Sequence, residues 1–407
     1  MKKSCHSIGP LSNNIIVSVI SNSHAFALLR DEWNELLETS NQNTIFLRWE
    51  WLYNWWQVYG VGSHHLCIYT ARKYGVLIGI APLYVKKTYN FFNEIVFLGS
   101  NIVCSDHLDF ILHKRTEAGL VDEILSAIAR NHLWDAIELR NLSSTSTIIG
   151  GILAFFPHNR VFVDSKNTIC PYIQLTLPWE TIFSAYSPVI KNCQKRKSKK
   201  LEKLHKISYY ETASDSDAKN MYPHFLGLNK MRFEHKKMLS PFCDAKFAEF
   251  HEKIISDPAW KDMLRLGFLK ADDSFIAGIY LLTYNNSYCY YQSGFDPAWE
   301  SYSPGTLLLH DCIKTAHERG AKEFDFLQGN EKYKSNWTKT VRYNTKLRIY
   351  NNNFRSLWLY SILALKSYFI KFMRSIQSHV AVFSFIKTGT TISEPFRLIL
   401  RHLKIRN

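Results

Sequence analysis

No run of about 18 consecutive apolar residues occurs anywhere in this 407-residue chain, so no segment is expected to cross a bilayer as a helix. After Met1-Lys2-Lys3, residues Ser4–Asn14 are polar and contain Pro10, so the apolar stretch of a secretory signal is missing as well. Eight cysteines are scattered with no CxxC spacing and no cysteine–histidine pattern suited to zinc. A chain this long buries a core without disulfides, which points to reduced structural thiols, a cytosolic compartment and no metal. There is no nucleophile elbow, and no cysteine has an evident activating partner. Negative charge is the scarcer sign: 35 Asp and Glu face 50 Lys and Arg, a net charge of +15. That balance favours acidic partners such as phosphates, nucleotide-linked sugars, anionic lipid or nucleic acid. With 46% hydrophobic and 21% charged residues the chain is globular, not disordered.

Hydrophobic periodicity divides it into two modules and a tail. Residues 10–170 begin with strand Asn14–Ile20, helix Phe26–Leu37 and a tryptophan-rich helix, Phe46–Tyr59. Strands follow at Leu66–Ala71, Leu77–Val85, Glu94–Leu98 and Leu108–Leu112, then a helix near Ala118–Asn131 and strand Ala136–Leu139. Helix Thr147–Phe156 and strand Val161–Val163 complete the module. Residues 171–350 give helices Trp179–Tyr186 and Pro188–His205, strand Ile207–Glu211, and helices Asp217–Phe233 and Pro241–Ile255. Strands Leu264–Lys270, Phe275–Thr283 and Ser287–Gln292 precede a helix opening near Gly305, strand 323–327 and strand Lys346–Tyr350. Two modules of one element order predict an α/β mixed-sheet chain built as a tandem repeat. Residues 351–407 form a basic amphipathic helical tail, with one stretch at Leu357–Met373 and another at Arg397–Arg406. Such stretches suit an anionic inner-membrane surface, and packing onto the body is the alternative.

The stretch Tyr288–Trp337 carries the most chemistry. An aromatic strand meets a Gly-Phe-Asp-Pro turn, a second turn ends in Ser303-Pro304-Gly305-Thr306, and a helix runs to Gly320. Leu309, Ile313 and Ala316 recur at helical spacing, as do Leu308 and Cys312, so one face packs on a sheet. The helix start presents free N–H groups where a phosphate sits well. The polar cluster Gln328–Lys334 follows the next strand. This layout suits an acyl carrier with a pyrophosphate beside a reacting amine or hydroxyl; the plain alternative is a strand–helix–strand unit with a routine cap.

Tyr291, Gly294-Phe295-Asp296-Pro297, Tyr302–Leu309, Phe324–Leu327, Gly329, Glu331, Tyr333-Lys334 and Trp337 stand in the order of a known pattern. The segment resembles the acetyltransferase domain of the GNAT superfamily found in cellulose-biosynthesis-type proteins. That family is allied to the Fem-type aminoacyl transferases, which carry two GNAT-like domains in tandem. Trp51-Leu52, Trp55-Trp56 and Ser105-Asp106-His107-Leu108-Asp109-Phe110 are also family-like; Asn330 departs from an often acidic position. The resemblance implies acetyl-CoA or another acyl-CoA as co-substrate, bound at Tyr291, Ser303, Gly305 and Thr306. It also implies an acceptor cleft between the modules for a small-molecule or lipid-linked sugar or another cell-envelope intermediate. Aminoacyl-tRNA replaces CoA as donor in a true Fem-type enzyme, and a decayed, non-catalytic phosphate- or membrane-binding module is the reading from another class.

Acyl transfer requires the acceptor to lose a proton and the thioester carbonyl to be polarised. Asp106 and Asp109 in the first module and Asp325 and Glu331 in the second are the base candidates; Asp109 and Asp325, each an acid between two apolar residues, rank first and are expected to converge on the cleft. Tyr333 is a candidate to donate to an oxyanion or to protonate the departing thiolate, Lys334 to neutralise a phosphate or a sugar-acid carboxylate, and Asp106, Gln328 and Glu331 with Lys334 to hold the acceptor. For Asp106 a turn role is as good a reading, and for Glu331 and Lys334 an ordinary surface ion pair is the alternative. The basic helix, with Lys191, Lys195, Arg196, Lys197, Lys199, Lys200 and Lys203, favours a polyanion or a solvated face.

Overall fold

The computed structural model describes residues 15–372 apart from 63, 101–102, 116–118, 132–133, 164–166 and 370–371, so the expected segment Arg397–Arg406 lies outside the described residues. The first half supplies β1 (Ile15–Ile20), β2 (His65–Leu66), β3 (Ile68–Lys73), β4 (Val76–Ala81), β5 (Leu83–Thr88), β6 (Phe92–Phe97), β7 (Ile111–Leu112), β8 (Ala136–Ser143) and β9 (Val161–Val163). The second supplies β10 (Thr168–Gln174), β11 (Ile207–Glu211), β12 (Leu264–Ala271), β13 (Ser274–Tyr284), β14 (Ser287–Phe295), β15 (Glu323–Asp325) and β16 (Val341–Tyr350). One sheet has the order β1-β3-β4-β7. The other runs β11-β12-β13-β14-β15-β10-β16-β8-β6-β5-β2, with β9 beside β16.

Each half repeats one arrangement. Antiparallel strands lead to a parallel pair, β6 with β8 in the first half and β14 with β15 in the second. Parallel neighbours need a crossover, and each crossover carries a helix, Leu120–Arg130 or Pro304–Glu318. The next strand crosses over: β16, from the end of the second half, pairs with β8 of the first, and β10, at the junction of the halves, takes the place beside β15. The β10–β16 pairing then joins the halves into one sheet, and β10 runs straight across residues 170 and 171.

Several expected elements are redrawn by local chemistry. Proline has no N–H for a ladder, so Pro82 cuts the expected strand Leu77–Val85 into β4 and β5, which join different sheets. Helix Phe26–Leu37 is two helices, Ser23–Leu28 and Arg30–Glu38, meeting at Leu29. Strand Leu108–Leu112 shrinks to β7; Leu108, Asp109 and Phe110 form buried irregular chain before it. β10 was masked in the sequence by Pro171, whose carbonyl instead accepts from Phe326 N–H (2.9 Å).

Trp33, Trp51 and Trp55 are fully buried, so the tryptophan helix (Trp49–Tyr59) is a core element. Trp51 also spans the halves. Its ring meets Phe250 and Trp260 of the second half at 4.8 and 5.7 Å. Its Nε1 donates to Ser105 Oγ (2.8 Å), pinning the loop that leads to Asp106 and His107.

Helix Asp215–His235 lies so close on β14 that a Cβ at Gly294 would stand 2.2 Å from the Asn229 backbone nitrogen. Backbone cannot yield as a side-chain tip does, so Gly294→Ala is expected to cost about 1–3 kcal/mol. Urea unfolding checks this: the midpoint should fall, and an unchanged midpoint would contradict the tight contact.

Candidate active site

The donor side is built where β14 and β15 part. They pair only over Ser287–Cys289 and Glu323–Asp325. Beyond Asp325 the chain stays with β10, through Phe326 N–H to Pro171 O, while β14 stays with β13 as far as Phe295. The backbones therefore part between Tyr290 and Phe326, whose rings meet edge-on at 6.2 Å, and the unpaired strand edges are of the kind that bind extended ligands. After β14 a 3-10 helix, Pro297–Tyr302, leads to the helix Pro304–Glu318, which starts at Ser303, whose φ of 55° turns the chain sharply. Lys197 Nζ donates to Ser303 Oγ (2.6 Å), and Lys200 lies over the Tyr302 ring.

The basic helix thus reaches the helix start that was read as a phosphate site. It runs as Pro188–Asn192, a π-turn Cys193–Ser198 and Lys199–Glu202, with Ile190, Cys193 and Leu201 buried and Lys195, Arg196, Lys199 and Lys200 exposed. A π-turn inside a helix often marks a functional surface. The corresponding crossover helix of the first half has Asp122 and Glu123 in its first turn, which disfavour an anion, whereas Pro304–Glu318 has no acid there. The two copies of the fold are told apart by this charge. At Gly305 a Cβ would meet only Phe295, at 3.9 Å, so the space beside this backbone is open.

The second feature is a pocket of about 390 Å³ between the halves, lined by His107 and the 41–46 and 143–145 loops of the first and by Glu323, Asp325 and Arg342 of the second. Asp325 Oδ2 accepts from His107 Nε2 (2.9 Å) and from Arg342 (2.5 Å), while Oδ1 accepts from Leu327 N–H (2.8 Å). Arg342 also grips both oxygens of Glu323. On the other side of the imidazole, His107 Nδ1 lies 2.9 Å from Asn344 Oδ1. Asn344 Nδ2 donates to Asp106 Oδ1 (2.9 Å), which orients the amide with its oxygen toward the ring. Both ring nitrogens therefore face acceptors, and only the imidazolium satisfies both.

The electrostatics agree. Burial works against a charged His107, but the bond to Asp325 and its charge hold the pKa above the usual histidine range. Burial alone would raise Asp325; His107 and Arg342 outweigh it and hold the carboxyl at about 2. Burial pushes Asp106 up to about 6, although His107 and the Gln328 N–H oppose it. His107 and Leu327, on facing loops, have φ of 51° and 57°, a left-handed backbone that side chains adopt only when the surroundings enforce it.

The expected residues are brought together only in part. Asp325 lines the pocket, and Asp106 joins its network and accepts from Gln328 N–H (2.6 Å), tying the halves together. Asp109 does not line it: the side chain is buried, Oδ1 accepts from Phe110 N–H (2.7 Å), and the Ser146 side chain is its other polar neighbour. The expected meeting of Asp109 with Asp325 is replaced by that of Asp106–His107 with Asp325. Tyr291 is not at the donor gap but in the core, donating to Val103 O (2.8 Å) beside His251. Lys334 is buried and spends its ammonium on Leu327 O, Gln328 O and Glu331, so it folds its own loop and is no free ligand-binding cation. Tyr333 is partly exposed and stands edge-on to Tyr290 at the gap; burial of its oxygen pushes the phenol well above its ordinary range. His107, Arg342, Asn344 and Lys197 were not singled out individually as site residues. For His107 the signal was its position between Asp106 and Asp109; for Arg342 and Asn344 nothing local marks them.

Residues 191–335 match the family model described as Acetyltransferase (GNAT) domain. The crystal structure of FemX superposes with a TM-score of 0.59 at 10% identity, covering 82% of this chain and 98% of that one. A conserved protein of unknown function from Bacteroides thetaiotaomicron superposes with a TM-score of 0.53 at 9% identity, over 82% of this chain and all of the other. No curated protein sequence matches the chain. The fold is a mixed α/β fold of GNAT type, and the second half carries a GNAT-type acyltransferase domain. Among the described residues no His, Cys, Asp and Glu cluster is arranged for a metal ion, and no helix is long and apolar enough to cross a membrane.

Proposed function

We propose that this chain transfers an acyl group, acetyl in the simplest case, from acyl-CoA to a hydroxyl or amine of a sugar or other cell-envelope intermediate, small or lipid-linked, in the cytoplasm. The observation that carries the reading is the gap between β14 and β15 beside a helix start that Lys197 makes cationic. Phosphates of the donor bind at Ser303–Thr306, and the extended arm of the carrier lies along the open strand edge. The acceptor occupies the pocket at the junction of the halves, where hydroxyl and amide side chains such as Asn43, Thr44 and Ser143 suit a polar, uncharged body.

Transfer is direct. The acceptor nitrogen or oxygen bonds to the thioester carbon and the carbon–sulfur bond breaks; the Tyr333 hydroxyl, whose raised pKa keeps its own proton in place, donates a hydrogen bond to the departing thiolate, which takes its proton from water. Asp325, held at about pKa 2, is too weak a base to keep the acceptor's proton. Its part is to accept a hydrogen bond from the attacking group and fix its direction, and the proton passes to water once the tetrahedral adduct makes it acidic. A second reading has aminoacyl-tRNA as donor. It is favoured by the five exposed cations Lys195, Arg196, Lys199, Lys200 and Lys203, a run of like charge that suits a polyanion.

Calorimetric titration with CoA, acetyl-CoA and charged tRNA separates the two. Gly305→Glu fills the open space beside the helix start with bulk and negative charge. Donor affinity is expected to fall by about tenfold or more, equivalent to about 1.4 kcal/mol, with no change in melting temperature. Equal CoA affinity in the folded variant would remove the donor assignment.

A further inference from the structure

The helix at 354–369 has two apolar faces, and only one is covered. On the inner face Ser356 and Leu359 are buried, Arg355 pairs with Asp135 (3.0 Å), and Trp358 packs edge-on to Phe91 and Phe92 (5.5 Å each). On the outer face Phe354, Leu357, Leu365 and Tyr368 follow helical spacing and are 79, 56, 69 and 71% exposed. The patch continues onto the body, where half-exposed Phe91 touches Trp358 and half-exposed Phe162 touches Tyr360. Contiguous exposed apolar surface marks an interaction site.

We propose that this face docks on an anionic lipid surface, so that the enzyme works as a peripheral membrane protein. Charge selects the occupant. Residues 351–407 contain nine Lys and Arg and a single acid, Glu394. A second copy laid on the same face, or residues 373–407 of the same chain folded back on it, would bring like charges together, whereas anionic headgroups match them. Trp358, Tyr360 and Tyr368 have the ring-plus-polar-tip chemistry that settles at headgroup depth. The described turns, 354–369, carry Arg355 and Lys366 among their apolar residues, a pattern that suits a helix lying in the interface plane. The surface is distinct from the donor gap and the junction pocket, and the proposal holds whatever the acyl donor is.

The test uses the full chain with vesicles of phosphatidylcholine alone or with phosphatidylglycerol added. Sedimentation is expected to show binding at least about tenfold tighter to the anionic vesicles at low salt, fading as salt screens the contact. The double variant Leu357→Glu, Tyr368→Glu should bind at least about tenfold more weakly with an unchanged melting temperature, since both side chains are exposed. Hydrogen exchange of 354–369 should slow on anionic vesicles in the unmodified protein, a readout that needs no variant. Indifference to anionic vesicles at low salt overturns the proposal, as does undiminished binding by the folded double variant. A dimer in solution that the double variant abolishes would assign the face to a second copy instead.

Discussion

Asp325→Asn is expected to lower turnover by about 10²-fold or more while leaving CoA affinity nearly unchanged. The substitution keeps the shape of the side chain but removes the charge that balances His107 and Arg342, both within 2.9 Å of Asp325 Oδ2. An amide there offers one acceptor where two cations need satisfying, so the attacking group loses its fixed partner and His107 loses the anion that keeps it protonated. Initial rates at saturating donor, paired with calorimetry for CoA, measure both quantities. Asp109→Asn is the control, expected to leave turnover nearly intact because Asp109 lies outside the pocket. Full activity in Asp325→Asn, or equal losses in both variants, would sink the assignment. The pH dependence follows from the same pair. A histidine pKa raised in the folded state stabilises the network fully below the ordinary value of about 6.5, and that contribution is lost as pH rises through the raised pKa. Activity that depends on the imidazolium therefore falls on the alkaline side.

Asp109 is expected to make the fold less stable as pH rises. Burial lifts its pKa to about 7, against about 3.9 in the unfolded chain, so the folded state holds a proton that the unfolded state has released. Stability tied to this group is complete below about pH 4 and is lost progressively up to about pH 7. At about 1.4 kcal/mol per pH unit the limit is near 4 kcal/mol, and relaxation around the site brings the expected loss to about 2–4 kcal/mol. Asp109→Asn keeps an oxygen for the Phe110 N–H and carries no titrating proton. The variant should therefore match the natural protein near pH 4 and exceed its stability by about 2–4 kcal/mol near pH 8. Urea unfolding at the two pH values decides this. A constant difference across the range would mean that Asp109 ionises freely in the folded protein.

The donor side was legible in the sequence because it is local. Ser303, Pro304, Gly305 and the apolar stripe from Leu308 to Ala316 lie within 14 consecutive residues, and helix-start chemistry acts over a single turn. The basic helix was equally readable, but its contact with Ser303, made by Lys197 across more than a hundred residues, was not. The tryptophan helix lies in the core, where large aromatic side chains of one short segment are expected to be buried.

The acceptor pocket was only half legible. An acid between two apolar residues in an extended strand points away from them, and this holds for Asp325 in β15. The same pattern misleads at Asp109, because Leu108–Phe110 is irregular chain and the alternation rule has no strand to act on. His107 enters the pocket through a left-handed backbone turn that Asn141 supports by bonding to the Ser105 carbonyl and the Leu108 N–H, a contact made 36 residues away. Arg342 and Asn344 arrive on β16, which lies beside β8 only because that strand crosses from the second half to the first. By itself the sequence determined the repeated α/β halves, the aromatic core and the anion-attracting helix start, since periodicity, burial of large side chains and helix-end chemistry act over a few residues. Only the tertiary structure decided which acid meets a cation and which is buried in the core without one, because that outcome depends on strand crossing and loop geometry acting across more than two hundred residues.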